Sequence, residues 1–211
     1  NESITTCTWA TAREAGNGTA LKASIPNILT WIRIAAIPIV VWCFFSDIRY
    51  EGENFARPLA GILFGLAAIT DLFDGYLARK WGQTSKFGEF LDPVADKLMV
   101  ATCLVLVAHT DARYEVALIA AVIIGREITV SALREWMASL GSRSKVKVGM
   151  AGKLKTTFQM FGIAFMVYEQ PLFGIDIYPI GYYLLLVAAA MTLYSMFIYL
   201  KAAWPELSSH A

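Results

Sequence analysis

Charge is scarce in this sequence. Aspartate, glutamate, lysine and arginine make up 17% of its 211 residues, where a typical soluble domain carries about 25%. Neither sign is in excess: 18 basic against 17 acidic residues leave a formal net charge of +1. Nucleic-acid-binding domains concentrate positive charge on one face or stripe, so that class is excluded. Cysteine is as sparse, with only Cys7, Cys43 and Cys103. Three cannot all pair, and Cys43 and Cys103 fall in apolar runs, where a free cysteine behaves as a small hydrophobe. Neither a disulfide nor a zinc framework is visible. Of the two histidines, His109 closes an apolar run and His210 lies in the tail; neither is given a role. What fills the chain is apolar: 57% hydrophobic residues and a mean hydropathy of +0.53, above the roughly 45–50% apolar content of soluble domains. That content excludes disorder for most of the chain and points to a membrane protein of one domain.

A bilayer-spanning helix needs about 20 mostly apolar residues. Six stretches qualify or nearly so: Ile25 to Phe45, Pro58 to Tyr76, Pro93 to Ala108, Val116 to Leu133, Thr157 to Tyr168 and Ile180 to Leu200. The third and fifth are short, and helical continuation through Asp96, Lys97, Lys153 and Lys155 would lengthen them. The expected fold is all-α, a polytopic membrane protein with six transmembrane helices. Residues 1–23 are polar, without a signal-peptide pattern; a short amphipathic surface helix near Trp9 to Glu14 is the one element they suggest. Residues 24–203 form the expected transmembrane domain, and 204–211 a tail. Lysine and arginine collect in two connections, at Arg79, Lys80 and Lys86, and at Arg134, Arg143, Lys145, Lys147, Lys153 and Lys155. Basic short loops stay in the cytoplasm, which places both termini there. Trp31, Trp42, Trp136 and Trp204 read as interfacial anchors, Arg143, Lys145 and Lys147 as solvated charges drawn to anionic lipid, and Gly162 as a helix-packing position.

Against this background one stretch stands out, DLFDGYLARKWGQTSKFGEFLDPVADK, from Asp71 to Lys97. Ionisable residues in membrane segments are costly and mark function. Asp71 and Asp74 lie three apart and Asp92 and Asp96 four apart, so each pair shares a helix face. The short turn between them makes spans two and three antiparallel neighbours. Asp92 before Pro93 also reads as the cap of a helix starting at the proline. Four carboxylates brought together need a shared cation, and an all-oxygen donor set favours a hard divalent ion. The pairing suits two ions about 3.5–4 Å apart that clamp a phosphoryl group. Gly75, Ala78, Gly82 and Gly88 leave room for a bulky ligand, and Arg79 offers a fork of donors to a phosphate. With about 13 residues, roughly 20 Å of helix, between Pro58 and Asp71, the cluster sits near the inner edge of the bilayer core.

The pattern Asp71-x-x-Asp74-Gly75-x-x-Ala78-Arg79, eight residues, then Gly88-x-x-x-Asp92-x-x-x-Asp96, resembles the signature of the CDP-alcohol phosphotransferase family at every fixed position. Ile25 to Arg33, the run FGEFLDPVADK, Arg126-Glu127, Ser131 to Trp136 and Gly152 to Thr157 resemble one branch, the bacterial phosphatidylglycerolphosphate synthases. The resemblance covers about residues 24–203. It implies a six-helix enzyme of the bacterial cytoplasmic membrane, commonly a homodimer, with its site facing the cytoplasm. It further implies transfer of the phosphatidyl group of CDP-diacylglycerol to sn-glycerol 3-phosphate, with two divalent cations, magnesium or manganese. Asp71, Asp74 and Asp92 would be metal ligands, and Asp96 the base for the acceptor hydroxyl and a further ligand. Asn27, Thr30, Gly75, Ala78, Arg79 and Gly88 would contact CDP-diacylglycerol.

An acceptor that carries a phosphate needs cations. Arg126 follows the apolar run VALIAAVIIG, and an unpaired buried cation is costly. Adjacent residues do not face each other on a helix, so Glu127 reads as an awkward partner, and phosphate binding is favoured for Arg126. Arg134, Lys153 and Lys155 read either as further phosphate ligands or as ordinary pairs and positive flanks. Asn27, Thr30 and Arg33, at spacings of three, read as a nucleotide-binding face or as an N-cap and a snorkelling arginine. Another acceptor alcohol, such as inositol phosphate, serine or phosphatidylglycerol, would use the same chemistry. A divalent-cation transporter would also place acids in spans, yet it leaves Arg79, Arg126, Lys153 and Lys155 unexplained.

Overall fold

The computed structural model describes residues 25–46, 49–50, 53–81, 86–139 and 150–209; side chains at 25–29, 49–50, 53–54, 71–81, 86–90, 150–153, 202–203 and 205–209 fall outside the description. The suggested surface helix at Trp9 to Glu14, Gly82, and the charges Arg143, Lys145 and Lys147 lie outside the described residues.

The described residues form six helices: α1 (Ile25–Phe45), α2 (Ala56–Trp81), α3 (Lys86–Thr110), α4 (Tyr114–Ser139), α5 (Met150–Tyr168) and α6 (Tyr178–Ser209). A two-residue hairpin, β1 (Arg49–Tyr50) paired antiparallel with β2 (Glu53–Asn54), joins α1 to α2. Each apolar stretch of the sequence becomes one helix, and most run beyond their apolar part. The third begins seven residues before Pro93 and the fifth seven before Thr157, so both extend at their polar ends. The last continues through the expected tail as far as Ser209.

Pro93 does not open a helix, because it lies inside α3. The proline therefore costs one backbone hydrogen bond, since it has no N–H for the carbonyl of Glu89. Asp92 is accordingly a mid-helix residue and no cap, which frees its carboxylate for a partner on another helix. Asn27 and Thr30 likewise lie within α1 rather than at its cap.

α5 and α6 form the most extensive helix pair. Glycine permits it: a Cβ on Gly162 would stand 2.8 Å from Leu185 Cγ and 3.0 Å from the carbonyl oxygen of Gly181, and a Cβ on Gly181 would stand 2.9 Å from the carbonyl oxygen of Gly162. α1 packs on both α2 and α3, α2 also on α5, and α4 on α3 and α6. The helices meet at a continuous core that includes Cys43, Phe64, Cys103, Ile123, Ile163 and Leu185. Both Cys43 and Cys103 are free thiols buried there, as apolar placement required.

The ends of the bundle away from the acidic cluster are tied by polar contacts. Arg113 grips Asp111 with Nε at 3.0 Å and Nη2 at 2.6 Å, and the Tyr178 hydroxyl donates to the same carboxylate at 2.6 Å. Arg57 pairs with Glu169 at 2.9 Å and stacks 3.8 Å over the Phe44 ring. Between α5 and α6, Leu172 and Ile175 exchange backbone hydrogen bonds of 2.9 and 3.0 Å around Phe173 and Gly174, whose φ angles of 54° and 79° make a type I′ turn.

Among the described residues, two helical segments, Tyr114–Ser139 and Tyr178–Lys201, are long and apolar enough to cross a membrane. Only 28% and 22% of their most apolar windows are buried inside the protein. A helix that is apolar all round and buried on one side only presents its remaining faces to something other than water.

Candidate active site

The acidic cluster falls on the end of α2 and the start of α3. Asp71, Asp74, Gly75, Ala78 and Arg79 occupy the last turns of α2, and Gly88 the first turn of α3; their side chains lie outside the description, as do those of Asn27 and Lys153. Asp71 and Asp74 share one face of α2 and Asp92 and Asp96 one face of α3, by helical spacing alone.

What surrounds the α3 pair is described. The Thr30 hydroxyl on α1 donates to Asp92 Oδ1, a contact 62 residues apart in sequence that holds the carboxylate to the first helix. One turn on, Asp96 lines a small cavity with Arg33 of α1, Ala67 and Ala68 of α2, Met99 and Val100 of α3, and Met160 of α5. Ala67 and Ala68 lie one turn before Asp71, so this face of α2 looks across the cavity at Asp96. Arg33 is 4% exposed and does not snorkel: its guanidinium stays in the bundle interior on the side of the acids. Among the described residues, no three His, Cys, Asp or Glu side chains gather as an ion site; two of the four signature carboxylates are described. Those two, one turn apart and oxygen-only, fit one side of a site for a hard divalent cation.

Beside the acids a second polar group joins α4, α5 and α6. Arg126 Nη1 lies 2.8 Å from Glu127 Oε1, and Lys155 Nζ lies 3.2 Å from the same oxygen. Arg126 Nη2 donates to Ser195 Oγ at 3.1 Å. The expectation that Glu127 makes an awkward partner for its neighbour is thus corrected. Facing directions exclude short side chains at adjacent positions, but an arginine is long enough to curl back, and Lys155 of α5 draws the carboxylate to the same point. Lys155 is buried, at 3% exposure, and is no simple positive flank; Arg134 is exposed and stands apart from this group. Lys97, next to Asp96, donates to Ser131 Oγ, which in turn donates to the Glu127 carbonyl at 2.6 Å, so α3 is linked to the α4 end of the cationic group.

Sequence reasoning weighed Glu127 and set it aside as a partner, and passed over Gln159, Thr192 and Ser195. Gln159 lies one turn beyond Lys155 on α5, and Thr192 and Ser195 are three apart on α6. The available signal was polarity: Thr192 and Ser195 interrupt an otherwise apolar run. Gln159 and Thr192 are 3% and 0% exposed, and Gln159 Oε1, Thr192 Oγ1 and Arg126 Nε are buried without a hydrogen-bond partner. Unmet buried polar atoms are expensive, and a polar ligand is one way to satisfy them.

Residues 23–196 match the family model described as CDP-alcohol phosphatidyltransferase. Proteins of Shigella flexneri serotype 5b and Escherichia coli K12, both named CDP-diacylglycerol--glycerol-3-phosphate 3-phosphatidyltransferase, are 46% identical over 187 residues, which covers 89% of this chain and 98% of each relative. A protein of the same name from Sodalis glossinidius is 46% identical over 191 residues, 90% of this chain and all of its own length.

Proposed function

The chain belongs to the CDP-alcohol phosphatidyltransferase family, and we propose that it transfers the phosphatidyl group of CDP-diacylglycerol to sn-glycerol 3-phosphate, releasing CMP. The observation that carries this reading is identity of 46% across nearly the full length of relatives bearing that activity in their name. The two polar groups of the bundle support it. One is acidic and suited to metal and pyrophosphate; the other is cationic and suited to the acceptor's own phosphate, which serine would lack.

In this reading Asp71, Asp74, Asp92 and Asp96 hold two divalent cations, magnesium or manganese. When bound, such ions offset the charge of the pyrophosphate and of the leaving CMP. Thr30 fixes the orientation of Asp92 through the hydrogen bond described above. Asn27, Gly75, Ala78, Arg79 and Gly88 receive the CDP moiety, the small residues by leaving space and Arg79 by donating to phosphate oxygens. Arg126 and Lys155 bind the glycerol phosphate. Asp96 then takes the proton of the acceptor hydroxyl as that oxygen attacks the phosphorus bearing the diacylglycerol. The bond from that phosphorus to CMP breaks, and CMP departs with the electron pair.

A lipid donor requires a membrane site. All six helices cross the bacterial cytoplasmic membrane in this reading, with both termini and the acids on the cytoplasmic side. Even α5, the shortest at 19 residues, reaches about 28 Å, close to the roughly 30 Å of a bilayer core. Outward Trp42, Leu118, Ile128, Tyr194 and Phe197, each more than half exposed, support contact with lipid or with a second copy in a homodimer.

The test is transfer of labelled sn-glycerol 3-phosphate to CDP-diacylglycerol in detergent–lipid micelles with magnesium or manganese. Product is expected with either or both metals, is abolished by EDTA, and falls by at least about a hundredfold in Asp96→Asn, the scale of a lost general base. CMP release with another alcohol and none with glycerol 3-phosphate would overturn the acceptor. Full activity of Asp96→Asn would overturn the assigned base.

A further inference from the structure

Arg126 and Lys155 come from different helices and converge on one atom, Glu127 Oε1, at 2.8 and 3.2 Å. Two cations and one carboxylate leave this group with one positive charge in excess. Its members differ in freedom: the Arg126 and Lys155 side chains are 10% and 3% exposed, whereas that of Glu127 is 26% exposed. The carboxylate is therefore the member able to leave. The group also has spare hydrogen-bonding capacity. Arg126 Nε can still donate; Gln159 Oε1, one turn from Lys155, and Thr192 Oγ1, three residues from Ser195, are near by helical spacing and can still accept, all three atoms being buried and unpartnered. A carboxylate supplies neither the second negative charge nor the third acceptor oxygen that a phosphate monoester carries near neutral pH.

We infer that Glu127 is a positioning residue that stands in for the acceptor's phosphate. With the site empty, it holds Arg126 and Lys155 together and offsets part of their charge. A phosphate monoester displaces it, takes over both cations and engages Arg126 Nε, while the acceptor's free hydroxyls meet Gln159 and Thr192. A neutral alcohol brings no anion to displace Glu127, so the same device selects against acceptors without a phosphate. This inference rests on the reading of the Arg126–Lys155 group as the acceptor site.

Three forms are compared: wild type, Glu127→Gln, which keeps shape and hydrogen bonding, and Glu127→Ala. In the transfer assay the KM for glycerol 3-phosphate is expected to fall about tenfold in Glu127→Gln, equivalent to about 1.4 kcal/mol, with kcat changing by less than KM. Glu127→Ala is expected to shift KM in the same direction. Independently of turnover, inorganic phosphate should raise the thermal unfolding midpoint of the detergent-solubilised protein, with half-saturation at lower phosphate in Glu127→Gln than in wild type. A KM that is unchanged or higher in both variants, with equal phosphate half-saturation, would overturn the inference and leave Glu127 as a link between α4 and α5. A wild type that transfers to another alcohol only, while phosphate still protects Glu127→Gln at lower concentration, would remove the acceptor reading and keep the stand-in role.

Discussion

Single residues here do two kinds of electrostatic work. In the interior, Thr30, Asp92, Arg33 and Asp96 face one another across α1 and α3, and a change of one atom bears on chemistry. At the far end, Asp111 works for stability. The paired guanidinium nitrogens of Arg113 hold its carboxyl well below the usual carboxylate range, against the opposing effect of burial, and the Tyr178 hydroxyl helps. A carboxyl whose folded value is depressed contributes stability above its unfolded value, about 3.9, and loses that contribution as pH falls toward the folded value. Arg113 is 46% exposed, so solvent screening limits the pair to about 1 kcal/mol or less. Asp111→Asn is expected to lower the unfolding midpoint at pH 7 by up to a few degrees. The gap between variant and wild type should close as the pH is taken below about 4. Thermal unfolding in detergent across pH 3 to 7 reads both, and a gap independent of pH would show that packing, not charge, matters at this position.

For helices surrounded by lipid, as the proposed function has them, close approach counts for more than the hydrophobic effect, because lipid is as apolar as a leucine side chain. The α5–α6 pair depends on that. With backbone and Leu185 atoms 2.8 to 3.0 Å from where a Cβ would stand on Gly162, Gly162→Ala forces the helices apart. A cost of about 1–3 kcal/mol follows from overpacking, seen as a lower unfolding midpoint. Gly65 and Gly125 meet nothing within 4 Å, so Gly65→Ala or Gly125→Ala is the matched control and should leave the midpoint where it is. The separation also moves Lys155 and Ser195, on α5 and α6, relative to Arg126 on α4, so the Gly162 variant should lose affinity for glycerol phosphate. An unchanged midpoint and KM would contradict the packing account.

For the whole molecule the distinctive arrangement is polar ends and apolar flanks. The acids of α2 and α3 and the cations of α4 and α5 lie toward one end. The Asp111–Arg113–Tyr178 and Arg57–Glu169 ties and the Phe173 turn lie toward the other. If the basic end faces the cytoplasm, Phe173, 95% exposed, reaches the opposite side. A Phe173→Cys variant is then expected to react with a membrane-impermeant maleimide in spheroplasts, while a Lys145→Cys variant reacts only after lysis. Both variants are made with Cys7→Ser, and Cys43 and Cys103, buried in the core, should contribute little background. The reverse pattern would invert the orientation and move the acids to the outer face.

Helix number, the acidic motif and the family were legible along the chain because each depends on order in sequence: apolar length, and aspartates and glycines at fixed spacing. Helix ends were less so. Pro93 reads as a start by local propensity, yet the neighbours of α3 keep seven further residues helical before it. Least legible was the partner of each charge. Thr30 meets Asp92 across 62 residues, and Glu127, set aside by a rule about facing directions, is where Arg126 and Lys155 converge. Spacing within one helix specifies which residues share a face. Which faces then meet depends on how glycine contacts such as Gly162 with Gly181 bring separate helices together, and those distances have no counterpart in the linear order of residues.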